Sequence, residues 1–341
     1  MEHIITVGLD LAKHVFQVHG ADRNGAVVLR KKLRRDQLLA FFAELPRCVI
    51  AMEACGGAHH WGREIGRLGH EVKLIAPAYV KPFVKRQKND MADAEAICEA
   101  AQRPTMRFVP VKSELAQASA LVFRTRDLLV RQRTQLINAL RGHMTEFGMV
   151  VAQGPMHVGR LIAIVEDPVS NLLEPARIVL GVIMAELRAL NDRVSVLDAE
   201  IVRRAKEDPV ARRLMTIPGI GAITATALVA LAPSAATFRR GRDFAAWLGL
   251  TPVQHSSGGK ERLGRTSRMG ERTLRRLLII GASAVASWAS RKGPVPGSWL
   301  ASMMARKPPM LVRVALANKM ARTVWALLAH GGVYRAPAVV A

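Results

Sequence analysis

Acidic residues are scarce in this chain: 27 Asp and Glu stand against 50 Lys and Arg over 341 residues, a formal charge of +23 at pH 7. A surplus of that size favours a polyanionic partner. Nucleic acid comes ahead of an anionic membrane, because nothing in the chain is lipid-directed. The shortage is also uneven. Residues 1–110 carry 17 basic and 12 acidic groups, 111–207 carry 13 and 11, and 208–341 carry 20 and 4, so the last third is the main candidate for polyanion contact. Cysteine is nearly missing too. Cys48, Cys55 and Cys98 are odd in number and lack metal-ligand spacing, which argues against a disulfide framework or a zinc site. No apolar run reaches about 18 residues, no charged leader precedes the strand-like opening, and no RRM or KH signature is visible. An intracellular, cytoplasmic protein without a membrane segment is the expectation. Half the residues are apolar, enough for a substantial core in two or three domains.

With so few acids, their placement carries weight. Residues 3–9 are β-branched and apolar and end at Asp10; strand character recurs at 14–19 and 26–31 around the turn Asp22-Arg23-Asn24-Gly25. A helix-like segment (36–45), a buried strand from Cys48 to Met52 ending at Glu53, a helix (60–68) and a strand (71–75) follow. Three antiparallel strands and then helix-separated ones predict a ribonuclease H-like α/β sheet, with Asp10 and Glu53 facing each other at strand ends. At Lys88 a basic run gives way to Asp90-Met91-Ala92-Asp93, the start of a predicted helix with Asp90 as N-cap and Asp93 one turn later on the same side. An isolated pair of that kind only caps a helix and complements its dipole. Four acids gathered at one sheet end repel one another, whereas together they can hold two Mg²⁺ ions roughly 4 Å apart for phosphoryl transfer. His59 and His60 are neighbours on a helix and point apart, so they are read as structural or nucleic-acid contacts rather than metal ligands.

Residues 113–147 read as one long helix carrying Arg124, Arg126, Arg131, Arg133 and Arg141, and 148–175 carry no assignable pattern. In a second long helix, Leu180, Ile183, Leu187, Leu190, Val194, Leu197 and Ile201 form the heptad seam of a coiled coil, which serves either a hairpin within the chain or the pairing of protomers. Beyond Asp208-Pro209, Ile217-Pro218-Gly219-Ile220-Gly221 precedes a helix-like 222–231. That matches a helix-hairpin-helix, in which Gly219 and Gly221 expose backbone N–H groups to a DNA phosphate; a tight turn between packed helices needs glycine equally. A further helical piece (243–250) leads into a flexible Gly-bounded loop with Ser256 and Ser257, followed by Lys260, Arg262, Arg265, Arg268, Arg272, Arg275 and Arg276. A hydroxyl beside such cations suits attack on a phosphodiester, although on local chemistry alone a solvated turn is the better reading. The remainder, through Ala329, is helical and apolar.

Taken in order, Gly8-Leu9-Asp10-Leu11-Ala12-Lys13, Met52-Glu53-Ala54, Lys88-Asn89-Asp90 with Asp93-Ala94, Ile217-Pro218-Gly219-Ile220-Gly221, and Gly249-Leu250-Thr251-Pro252 followed by Ser257-Gly258 resemble the insertion-sequence-110 family of transposases, in particular its 1111-type branch. The resemblance spans nearly the whole chain. It implies a RuvC-like, ribonuclease H-fold domain over 1–110, a coiled-coil middle over 111–207, and a mostly helical transposase domain with the helix-hairpin-helix over 208–341. An acidic quartet would fall on Asp10, Glu53, Asp90 and Asp93, and a nucleophilic serine on Ser257. It further implies Mg²⁺-dependent cleavage and rejoining of donor and target DNA through a phosphoserine. A bridging non-coding RNA would guide the reaction, and a homo-oligomer, dimer to tetramer, in a prokaryotic cytoplasm would carry it out. A RuvC-like junction endonuclease using metal-activated water and a non-catalytic nucleic-acid-binding protein are the alternatives.

Overall fold

The computed structural model describes residues 3–85 and 89–336, so Lys88 of the basic run lies outside the described residues. The chain divides into two compact units, residues 1–117 and 118–341. In the first unit, β1 (Thr6–Asp10), β2 (Val15–Ala21) and β3 (Val27–Arg34) form an antiparallel meander. The β2–β3 turn closes because Asp22 Oδ1 accepts from the N–H groups of Asn24 and Ala26, each at 2.8 Å. Then come α1 (Leu38–Glu44), β4 (Val49–Glu53), α2 (Ala58–Arg67), β5 (Glu71–Ile75), α3 (Pro77–Val80), α4 (Asp90–Ala101) and the short β6 (Phe108–Val109).

The sheet order is β3-β2-β1-β4-β5-β6, with β1 parallel to β4 and β4 parallel to β5. Alternation sorts the side chains of β1. Val7 and Leu9 enter a core with Phe16, Val18, Phe42 and Ile50, while Gly8 and Asp10 lie on the opposite face. There α4 packs over Gly8 so closely that a Cβ would lie 2.1 Å from the Ala94 carbonyl oxygen and 2.6 Å from the Cys98 nitrogen. Glycine at position 8 is therefore a packing requirement.

In the second unit, α5 (Glu114–Glu146), which begins in the first unit, runs antiparallel to α7 (Glu174–Glu207), with α6 (Val158–Glu166) between them in sequence. Arg126 Nη2 donates to Asp198 Oδ2 at 3.1 Å, Arg133 reaches Asn191, and Leu140 and Met144 pack with Leu180 and Met184. Those contacts fix one register along the pair. The heptad seam is buried within this chain: Leu180, Leu187, Leu190, Val194 and Ile201 are each at most 4 % exposed. The segment without a legible pattern contains α6, whose Leu161 and Val165 join the same cluster.

The rest of the unit comprises α8 (Pro209–Leu214), α9 (Ala222–Leu231), α10 (Gly241–Trp247), β7 (Pro252–Gln254), β8 (Leu263–Thr266), α11 (Arg272–Lys292), α12 (Trp299–Arg306) and α13 (Pro309–His330). Its core draws Leu214, Leu228, Phe244, Leu278 and Val324 together with Phe123 of α5 and Ile201 of α7. Among the described residues no helix is long and apolar enough to cross a membrane.

Candidate active site

Asp10 ends β1 and Glu53 ends the neighbouring parallel strand β4, where Leu9 is in register with Met52. Close packing of α4 on Gly8 brings the start of that helix over the same sheet end. The carboxylates of Asp10, Asp90 and Asp93 consequently lie within 4.8 Å of one another. Glu53 is near enough to repel Asp10 electrostatically without belonging to that tight group.

One expectation is corrected here: Asn89, not Asp90, is the N-cap. Asn89 has extended backbone, and its side-chain oxygen accepts from the Ala92 N–H at 2.7 Å, which leaves Asp90 inside the first turn with its carboxylate uncommitted to capping. The electrostatics match this crowding. Burial first, then Asp93, Asp90 and Glu53, push the Asp10 carboxyl up to about 6. Among the described residues no basic side chain forms a salt bridge with Asp10, Asp90 or Asp93. Concentrated, uncompensated oxygen donors fit a hard divalent cation. The two adjacent histidines take no part: His59 Nδ1 accepts from the Lys112 N–H at 3.2 Å, and His60 stacks edge-on to Trp61.

The serine segment is ordered differently from the flexible loop that the sequence suggests. Strands β7 and β8 form a hairpin in which Ser257 pairs with Lys260 and the Lys260 N–H donates to the Ser257 carbonyl at 3.1 Å. Gly258 and Gly259 make the two-residue turn with φ of 57° and 75°, the left-handed pair that such a hairpin requires. The two serines are thereby distinguished. Ser256 Oγ accepts from the Arg262 N–H at 3.2 Å, whereas the Ser257 hydroxyl has no hydrogen-bond partner among the described residues.

Residues directly opposite in a hairpin share a face, so Ser257 and Lys260 point to the same side, with His255 and Arg262 next along it. Lys260, Arg262, Arg265, Arg268 and Arg272 make no salt bridge among the described residues. The other two arginines of the run serve structure. Arg275 donates to the carbonyls of Leu248 and Met269, at 3.0 and 2.6 Å, and Arg276 pairs with Asp127.

In the segment expected to form a helix-hairpin-helix, the turn between α8 and α9 buries Ile217 and Ile220. Gly219 has φ +85°, and a Cβ there would meet the Gly281 carbonyl of α11 at 2.7 Å, while one on Gly281 would meet the Gly219 oxygen at 2.0 Å. Gly219 is thus fixed by packing, with Gly281 a partner that sequence reading missed. Gly221, by contrast, is the exposed N-cap residue of α9, with an ordinary φ of −90° and, among the described residues, no atom within 4 Å of where a Cβ would stand.

Comparison with known proteins agrees with this geography. A DEDD transposase model of the IS110 type matches residues 7–149, and the model described as "Transposase IS116/IS110/IS902 family" matches residues 211–294. A "Probable family 20 transposase" of Pseudomonas aeruginosa is 48% identical over 335 residues, covering 96% of this chain and 98% of the relative. The transposase for insertion sequence element IS1328 of Yersinia enterocolitica is 38% identical, covering 98% and 99%. That for IS1111A of Coxiella burnetii is also 38% identical, covering 98% and 92%. The chain therefore belongs to the IS110/IS116/IS902 family of insertion-sequence transposases, and its full-length likeness includes IS1111-type members.

Proposed function

We propose that this transposase cleaves and rejoins donor and target DNA through a phosphoserine on Ser257, assisted by divalent cations at Asp10, Glu53, Asp90 and Asp93. The observation that carries the reading is the convergence of three carboxylates from β1 and α4 without a compensating cation among the described residues. Sheet order with β1 central and parallel to β4 supports a ribonuclease H-like, RuvC-like domain over 1–110, followed by the helical middle (111–207) and the C-terminal domain (208–341). Mg²⁺, two ions by the acid count, would polarise the phosphodiester and offset charge on its oxygens. The chain's own groups do the rest. The Ser257 Oγ–P bond forms as a P–O bond of DNA breaks and the departing sugar oxygen takes up a proton; attack by another strand's hydroxyl reverses the step and releases the serine. Lys260, Arg262, Arg265, Arg268 and Arg272 balance charge on the phosphate and hold the backbone. Gly219 and Gly221 offer N–H groups to a further phosphate.

A bridging non-coding RNA as guide and a dimer-to-tetramer assembly belong to the same proposal, on family likeness and the basic surplus. A hydrolytic endonuclease would use the carboxylates and not Ser257. Asp10→Ala and Asp93→Ala are expected to abolish strand cleavage while leaving charge-driven DNA binding intact. Cleavage at the wild-type rate in either variant would sink the metal-site assignment.

A further inference from the structure

The sheet face that carries Asp10 continues sideways into a second feature. Gln17 lies directly across the β1–β2 ladder from Asp10, and His19 across from Gly8; one strand further, Arg30 is in register with His19. These side chains and the far flank of α4, with Asn89, Met91 and Glu95, line a cavity of about 130 Å³. Asp90 and Asp93 leave the helix on the side of the acid cluster, whereas Met91 and Glu95 leave it on the side of the cavity.

His19 lines this space although only 5 % of its surface is exposed. Its imidazole makes no hydrogen bond among the described residues, and burial holds it below the usual histidine range. A neutral imidazole offers one donor and one acceptor. Gln17 adds both kinds of group; Asn89, its oxygen used in capping Ala92, has amide N–H groups that meet no acceptor among the described residues.

Which ligand fits follows from the charges. Glu95 lines the cavity with the exposed Arg30 and Lys31, so a phosphate that went in past the two cations would meet a carboxylate. The cations near it, Arg30 and Lys85, pair with Glu95 while their side chains stay 57% and 67% exposed. Exposed cations at the mouth, the lining residues Arg30 and Lys31 among them, with mixed donors and acceptors deeper in suit a nucleotide whose phosphates stay at the rim and whose heterocycle enters. Met91, 56% exposed, supplies an apolar surface for its face.

We propose that this cavity takes one unstacked nucleobase of the strand delivered to the acid cluster, and so fixes which phosphate is presented to Asp10. Extrusion of a single base costs least in single-stranded or distorted DNA, the state in which strand exchange must present it. The proposal deepens the transposase reading and rests on DNA reaching this sheet end. It makes Gln17, His19 and Met91 positioning residues outside the metal-binding carboxylates.

The test uses the full chain and a single-stranded oligonucleotide carrying 4-thiothymidine throughout, irradiated with EDTA present, with crosslinked peptides mapped by mass spectrometry. No fixed register and no catalysis are needed, so failure here is separable from failure of the Asp93→Ala cleavage test. The expected result is a crosslink to the peptide holding His19 or Met91. It is lost in Ala92→Trp, which fills the cavity from its lining, while crosslinks in the basic C-terminal third persist. Met91→Ala serves as the second variant should the tryptophan perturb α4; it is expected to lose the Met91 adduct with unchanged circular dichroism. Crosslinks confined to the C-terminal third, persistence of the His19 or Met91 adduct in a folded Ala92→Trp, or attachment at Arg30 and Lys31 without His19 or Met91 would each overturn a base pocket.

Discussion

At Gly8 a methyl group would meet the Ala94 carbonyl oxygen at 2.1 Å, whereas at Gly258 and Gly259 no atom of the described residues lies within 4 Å of where a side chain would begin. The first glycine exists for packing and the other two for a turn. The contrast extends to the groups they place. Asp10 is half-buried, crowded by other acids and pushed up to about 6, while Ser257 sits on an exposed hairpin with its hydroxyl unengaged among the described residues. On the proposed reading, the carboxylate site that would hold a cation has its geometry set by the core before any ligand arrives. The proposed nucleophile, which would have to reach a phosphate, needs only a stiff support, and two left-handed glycines supply it.

The largest expected effect is on the packed side. Gly8→Ala forces α4 off the sheet and should cost about 3 kcal/mol in urea unfolding, the upper end for overpacking, with loss of divalent-ion binding. Slightly smaller is the effect of the metal. At about a hundredfold excess over its dissociation constant, Mg²⁺ should stabilise the protein by about 2.7 kcal/mol, read as a rise in melting temperature, and Asp93→Asn should lose that rise.

That gain should also depend on pH, with a sign set by Asp10. Its folded pKa of about 6 lies above the ordinary 3.8, so the metal-free folded state binds the proton more tightly. The proton-linked stabilisation is present below the ordinary value and disappears as pH rises through about 6. The metal-free melting temperature should therefore fall across that window, Asp10→Asn should flatten the fall, and the Mg²⁺-induced rise should grow as proton competition ends. The smallest effect belongs to the hairpin: Gly258→Ala strains only one left-handed residue and should cost about 1 kcal/mol, with adduct formation impaired more than stability.

How far the sequence announced these features follows the same division. Asp10, Glu53 and Asp93 were legible because strand alternation and the onset of a helix are local patterns, and the order of strands in the first unit matches the elements read from them. The cap was misread because Asn and Asp compete for the role and only the extended backbone of Asn89 decides it. Ser257-Gly258-Gly259-Lys260 carried a hairpin signal in its paired glycines, yet its hydroxyls and charges suggested a loose loop. The contacts of Gly8 with α4 and of Gly219 with Gly281 join residues 86 or more and 62 positions apart, and no periodicity reports such pairs. Of the stripe read as a coiled-coil seam, Leu180, Leu187, Leu190, Val194 and Ile201 are buried, but the sequence left open what lies against it, which only the register of α5 against α7 shows.

The central claim is that Ser257, and not water, attacks the phosphodiester. Wild-type protein, Ser257→Ala and Ser256→Ala are each reacted with donor and target DNA and Mg²⁺, denatured, and examined on a gel, with any DNA-linked peptide mapped by mass spectrometry. The phosphoserine reading predicts a covalent complex on Ser257 in wild type, its loss together with recombination in Ser257→Ala, and partial retention in Ser256→Ala, whose hydroxyl only braces the hairpin. An adduct that survives in Ser257→Ala but vanishes in Ser256→Ala would contradict the residue assignment, and cleavage by wild type with no adduct would contradict the phosphoserine itself.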